Sequence, residues 1–351
     1  MRVLTRPELT AALAARQGLI ERWNVAPAEA IRRLTPLQGQ FAPAPFIALA
    51  ARLNGFARAD LEAAIDARTV VKTTIMRLTL HVAAAEDFPA YAQLTRQARM
   101  RTWRKTYPHL DDAEVTRELA AWFAEEPRTN ADVRERVGAY EGVTRDPWTP
   151  VIFARALLPL VQLPPAGHWR DNGRGVRFVV DPRPLPTPAD ASALVLTRYL
   201  EAFGPAAKRD VAAWSGVAQS DFAWERVVTV SYRDEKGREL IDLPDRPLPP
   251  AATPLPPRFL ARWDQPLLAY ADRDRIIAPE VQPLQLTLSG DQTITVDGRV
   301  AASWALEQGR LTITPHVEIS RGQRASIREE GLRTARFCAP DLARPEVVFS
   351  A

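Results

Sequence analysis

The sequence predicts an α+β, predominantly helical fold: three tandem winged helix-turn-helix modules followed by a small C-terminal antiparallel β-barrel. Three observations predict it. A pattern of helices followed by a hairpin occurs three times before residue 250. The stretches DPRPLPTPAD (181–190) and PDRPLPPAATPLPP (244–257) forbid helix and central strand, and read as stiff linkers. After residue 258 the sequence alternates apolar and polar residues between turn signals. The expected boundaries are 1–108, 109–187, 188–250 and 251–351.

The first module opens on Thr5-Arg6-Pro7-Glu8. A threonine cap, proline in the first turn and glutamate three residues on make a capping box. Leu9, Ala12, Leu13 and Leu19 supply the apolar stripe. Helices are expected near 27–35, 45–53 and 60–67, with Gly55 marking the end of the second of these and Asp60 capping the last. TVVKTTIMRLTLHV then reads as two strands. The second module has helices near 111–125, 130–137 and 148–158, and a hairpin around the turn-rich PPAGHWRDNGRG. The third has helices near 190–203, 205–215 and 220–226, and the strands RVVTVSY and RELIDL joined across DEKG. LQLTLSGDQTITVDGRVAASWALEQGRLTITP is the antiparallel sheet, and RGQRASIREEGLRTARF its closing helix.

Composition narrows the function. The N-terminus MRVLTRPELT is charged and polar, unlike a secretory signal, and no run reaches the roughly 18 apolar residues of a membrane span. Cys338 is the single cysteine, and the histidines at 81, 109, 168 and 316 lack metal-ligand spacing. A cytoplasmic, nucleoid-associated protein without metal or cofactor is expected. Residues 1–108 hold 16 Lys+Arg against 8 Asp+Glu, whereas the rest holds 30 against 34. The basic excess is confined to the first third, and all but four of the bases are arginine, which suits bidentate phosphate contact. No Walker loop, GxGxxG, GxSxG or HExxH is present.

Four constellations remain. Gln38 and Gln40 lie two apart in LTPLQGQFAPAP, which the prolines keep out of helix. In extended chain both amides face one way, toward one cleft; capping of neighbouring helices is the other use of such residues. In RLTLHV, alternation puts Arg77, Thr79 and His81 on one strand face, lining a nucleic-acid channel or simply solvated. RQARMRTWRKTY crowds Arg96, Arg99, Arg101, Arg104 and Lys105 around Trp103, a pattern that fits phosphate tracking or a solvated helix surface. RWDQPLLAYADRDRI packs Asp264, Asp272, Arg273, Asp274 and Arg275 together, as an internal ion-pair network or as the seat of a catalytic carboxylate.

Taken in order, LTRPELTAALAARQGL, LTPLQGQ, MRLTLHVAAAEDF, LPPAGHW, AFGPAAKRDVAAWSG and RWDQPLLAYADRDR resemble the AlkZ/YcaQ family of winged-helix DNA glycosylases along essentially the whole chain. The resemblance implies three winged helices and a β-barrel around a DNA channel. It also implies excision of cationic alkylated purines such as N7-alkylguanine and N3-alkyladenine, with interstrand crosslinks as further substrates. The family signature is Gln-x-Gln or Gln-x-Asp; Gln38 and Gln40 match the first form as catalytic residues. The middle residue is usually aliphatic in that family and is Gly39 here. Double-stranded DNA is then the partner of a monomer, contacted by Arg77, Thr79, His81, Arg96, Arg99, Arg101, Arg104, Arg273 and Arg275. A purine that is already cationic while bonded leaves as a neutral base and needs no protonation, so neutral amides suffice to hold water and stabilise an oxocarbenium-like sugar. With no lysine near the glutamines in sequence, simple hydrolysis is expected rather than a Schiff-base lyase. A non-catalytic winged-helix transcriptional regulator is the alternative, and a scaffold without nucleic acid the third reading.

Overall fold

The computed structural model describes residues 1–143, 148–284, 290–341 and 344–350. Part of the alternating run, residues 285–289, lies outside them. The chain begins with β1 (Val3–Leu4) and α1 (Arg6–Arg16). The capping box is present: Thr5 Oγ1 accepts from the Glu8 amide, and the Glu8 carboxylate accepts from the Thr5 amide at 2.8 Å. Next come α2 (Pro27–Leu34), β2 (Leu37–Gln38), α3 (Ala44–Ala50) and α4 (Arg58–Asp66). Asp60 is not the cap of α4. Ala57 holds that position, and Asp60, three residues in, accepts its amide at 2.8 Å. The first hairpin is β3 (Val70–Thr74) and β4 (Leu80–Ala84), leading into the long α5 (Phe88–Thr106).

The second run has α6 (Asp112–Glu125), β5 (Arg128–Thr129), α7 (Asn130–Gly138) and α8 (Thr149–Leu157), then β6 (Leu160–Gln162) and β7 (Arg177–Val180). The third has α9 (Pro188–Phe203) and α10 (Lys208–Ser215), then β8 (Val230–Asp234) and β9 (Glu239–Asp242). Where one helix was expected at 220–226, two single 3₁₀ turns occur instead, Gln219–Asp221 and Trp224–Arg226. The C-terminal region comprises β10 (Arg258–Phe259), the short α11 (Gln265–Leu268), β11 (Gln292–Val296), β12 (Arg299–Glu307), β13 (Arg310–Pro315), the helix Arg321–Cys338 and β14 (Glu346–Phe349).

The hairpins do not stand apart. Those of the first and second runs join β2 and β5 in one six-stranded sheet, ordered β2-β4-β3-β6-β7-β5. The third pairs with β1, whose register with β8 is parallel. The C-terminal strands form an open sheet in the order β10-β11-β12-β13-β14, with β13 and β14 parallel, so the expected closed antiparallel barrel is not found among the described residues. Two causes are visible. The prolines before Arg258 leave β10 only two residues of ladder. The helix Arg321–Cys338 lies over both edges, so close that a Cβ on Gly331 would meet Phe259 and Val347 at 3.1 Å.

The cores cross the sequence order. α2, α3, α4 and the outer face of β4 share one core with Phe259, Ile294, Trp304 and Ile313 of the C-terminal sheet. α1, α5, α9 and α10 share another with Val71, Ala83, Val161 and the segment Leu267–Val281. The second run keeps a core of its own from Met100 to Phe178. Among the described residues no helix is long and apolar enough to cross a membrane.

Candidate active site and nucleic-acid interface

The Gln-x-Gln segment is short because its surroundings force it to be. Thr35 ends α2 at φ 69°, ψ 173°, a conformation suited to glycine. In a β-branched residue it costs on the order of 1–3 kcal/mol and survives only when neighbours over-determine it. Pro36 follows, and the chain then runs beside β4, Leu37 opposite Val82 and Gln38 opposite His81. The Gly39 amide donates to the Leu80 carbonyl at 2.8 Å. A Cβ at Gly39 would sit 3.2 Å from Val82 Cγ2, so the bare backbone lets the segment lie close to β4.

Strand alternation puts Gln38, His81 and Thr73 on the face shared with Val71, Ala83 and Val161, toward α5, α9 and α10. Gln38 is 8% exposed and His81 fully enclosed. His81 Nδ1 lies 2.9 Å from the Thr79 carbonyl, so it carries the proton and Nε2 offers its lone pair. Burial first, and the Arg77 guanidinium second, push the His81 pKa down to about 3, leaving a neutral ring. Neither His81 Nε2 nor Gln38 Oε1 receives a hydrogen bond from the described residues. Two buried acceptors without donors, side by side across a strand pair, are costly for stability. Gln40 is exposed, and Phe41 beside it carries the exposed Arg262 guanidinium 4.7 Å above its ring.

The expected ladder Arg77-Thr79-His81 is corrected, because the strand starts only at Leu80. Arg77 and Leu78 form the hairpin turn, both left-handed at φ 51° and 57°. Thr79 closes that turn through Oγ1 to the Met76 carbonyl at 3.1 Å. Arg77 is open to solvent on one side, yet the protein around it and nearby Arg273 lower its pKa: it is a cation seated in a recess. Its stem rests on Gly216, the left-handed cap of α10, where a Cβ would come within 3.0 Å of Arg77 Cγ. Half-buried Arg273 is likewise held below its usual range by burial.

Gln38 thus lies opposite His81, Arg77 lies within electrostatic reach of His81, and Arg273 within reach of Arg77. The arginines of α5 are engaged elsewhere. Arg96 donates to the Leu157 carbonyl at 3.0 Å. Arg99 is buried, donates to the Thr74 carbonyl at 3.0 Å, and is lowered to about 10 by burial and by Arg96. Arg101 pairs with Asp221 at 2.5 Å, and Arg104 with Asp112, both at the surface. Arg275 is enclosed, donating to the Pro205 carbonyl and the Tyr270 hydroxyl at 2.8 Å each. Arg99 and Arg275 cannot meet phosphate without abandoning these partners, so both leave the expected interface.

Asp264, weighed as a catalytic carboxylate, is an ion-pair residue. Arg52 meets it bidentately at 2.7 and 3.0 Å, both side chains fully buried. Lys236 and Arg238 bind Asp272 and Asp274 in a second, more open network. Gln265 was missed from sequence. Its Nε2 donates to the Pro36 carbonyl at 2.5 Å, and its Oε1 accepts from Trp214 Nε1 at 3.1 Å. The one local sign was an amide at the first turn of a short proline-containing helix.

With this geometry in place, comparison with known proteins decides the class. The family model described as DNA glycosylase AlkZ-like matches residues 31–337. The chain belongs to the AlkZ-like DNA glycosylase family. The match does not favour a non-catalytic regulator. The chain is 24% identical to the Streptomyces sahachiroi protein named interstrand DNA cross-link repair glycosylase, over 92% of this chain and 93% of that one. It is similar to the solved Streptomyces sahachiroi DNA glycosylase AlkZ at a TM-score of 0.82, with 21% identity and full coverage of both chains. At that identity the structural likeness speaks for the fold.

Proposed function

We propose that the protein hydrolyses the N-glycosidic bond of cationic alkylated purines in duplex DNA, N7-alkylguanine and N3-alkyladenine foremost, with Gln38 and Gln40 as its catalytic pair. The relative named for interstrand cross-link repair extends the proposal to crosslinked purines. One observation carries the reading: the Gln38 amide oxygen is buried in the family's signature position and is used by no donor among the described residues. An acceptor buried without a protein donor is open to a donor from water or substrate.

A purine alkylated on a ring nitrogen departs without protonation. The amide oxygens accept hydrogen bonds from the attacking water and present their negative dipoles to the developing sugar cation. Gln40, exposed beside Phe41 and Arg262, faces the approaching strand. Arg77 and Arg273 draw phosphate toward the recess. We read the enzyme as a monofunctional, cofactor-free monomer divided at the boundaries given above. Lys72, on the same sheet, supports hydrolysis over a lyase route: its ammonium is buried against Asp171 at 2.6 Å and points from the opposite face to Gln38.

The deciding experiment is incubation with methylated duplex DNA and mass analysis of the released bases. N7-methylguanine and N3-methyladenine should appear, and unmodified adenine or uracil should not. A protein that binds one defined operator and releases no base is a regulator.

A further inference from the structure

Gln265 lies in the RWDQPLL stretch and has no part in the Gln-x-Gln pair, yet its carboxamide donates to the Pro36 carbonyl just before that pair. The Thr35 backbone is strained, and a strained corner keeps its shape only while something holds it. The Pro36 carbonyl, next along the chain and two residues before Gln38, accepts the Gln265 carboxamide at 2.5 Å. That carboxamide cannot turn away freely, because Trp214 Nε1, fully buried in the core of α9 and α10, donates to its oxygen. Nor can its backbone drift. Adjacent Asp264 is locked to Arg52, and Arg52 Nη1 also donates to the Ala48 carbonyl in the last turn of α3 at 2.8 Å. One loop of the C-terminal region therefore holds the chain just before the Gln-x-Gln segment through Gln265, and the end of α3 beyond it through Asp264 and Arg52.

We infer that Gln265 is a positioning residue for the glycosidic step: through the Pro36 carbonyl it fixes the strained Thr35–Pro36 corner and so the aim of the Gln38 amide. It touches no substrate and acts through Gln38. The inference rests on the proposed catalytic role of Gln38, and its test separates the two.

The test is a mutant cycle under single-turnover conditions on N7-methylguanine duplex, with full-length protein at saturating enzyme. Gln265→Met keeps the approximate volume and removes the donor. It should slow excision about tenfold while the DNA dissociation constant stays within about twofold, the scale of one hydrogen bond lost from a held geometry. In a Gln38→Ala background the same change should cost nothing further, because there is no amide left to aim. A purely structural role would instead lower the rate by the same factor in both backgrounds. That outcome, or an undiminished rate in Gln265→Met, overturns the inference. Should Gln265→Met fail to fold, Trp214→Phe, which releases the carboxamide oxygen, is read by the same two criteria. A wild-type protein that excises nothing defeats the proposed function instead.

Discussion

Two buried polar regions lie within one loop of each other and are built on opposite principles. Around Asp264 and Gln265, each carboxylate oxygen and both ends of the carboxamide have partners. Around Gln38 and His81, an amide oxygen and a ring nitrogen have none among the described residues. Burial is common to both regions; they differ in which of these acceptors a protein donor meets. A satisfied network rigidifies what it joins, and here it joins the C-terminal loop to the segment whose acceptors stay open.

The contrast can be broken by exchanging stability for activity as the readout. Asp264→Ala should cause the largest loss, about 3–5 kcal/mol in urea unfolding, because it strands the Arg52 guanidinium in the core. A loss below about 1 kcal/mol would remove the clamp from the account. His81 gives the next effect. Its pKa is near 3 when folded and near 6.5 in an unfolded chain, so the neutral ring contributes stability that is present above about pH 6.5. As pH falls toward 3 the unfolded state takes up the proton first, and roughly 4 kcal/mol should be lost. His81→Phe should flatten that acid limb, measured as unfolding free energy against pH. Gln38→Ala should slow excision about 10²–10³-fold, with DNA affinity and melting temperature nearly unchanged. Equal losses of rate and fold would move Gln38 to the scaffold side. The smallest effect belongs to the recess: Arg77→Ala should lower the log–log salt dependence of DNA binding by about 0.9, one phosphate's share.

Much of the fold was legible because its signals are local. The Thr5–Glu8 box, the proline stretches and the turn-rich DNGRG each act within a few residues. The sheet order was not, since nothing near Lys72 announces a partner at Gln162 on another hairpin. The open C-terminal sheet was missed for the same reason: alternation reveals strands but not whether the first and last meet. In the candidate site, Gln38 and Gln40 are the pair that a motif proposes. The burial of His81 was not legible, because a hairpin turn at Arg77–Leu78 shifts the strand's start and turns an apparent solvent ladder inward. Charge counts overstated α5, whose arginines spend their donors on carbonyls and on Asp221 and Asp112. A sequence lists cations without saying which are already taken.

The missing side chain at Gly39 has a further consequence. Its vacant volume is filled by the Val82 methyl across the ladder, so the two positions draw on a single allotment of space. A homologue with an aliphatic residue between its glutamines needs the opposing valine to give by a few tenths of an ångström, or a smaller side chain in its place. The two sites should therefore change together in descent, and an engineer who wishes to restore bulk at one will have to carve it out of the other.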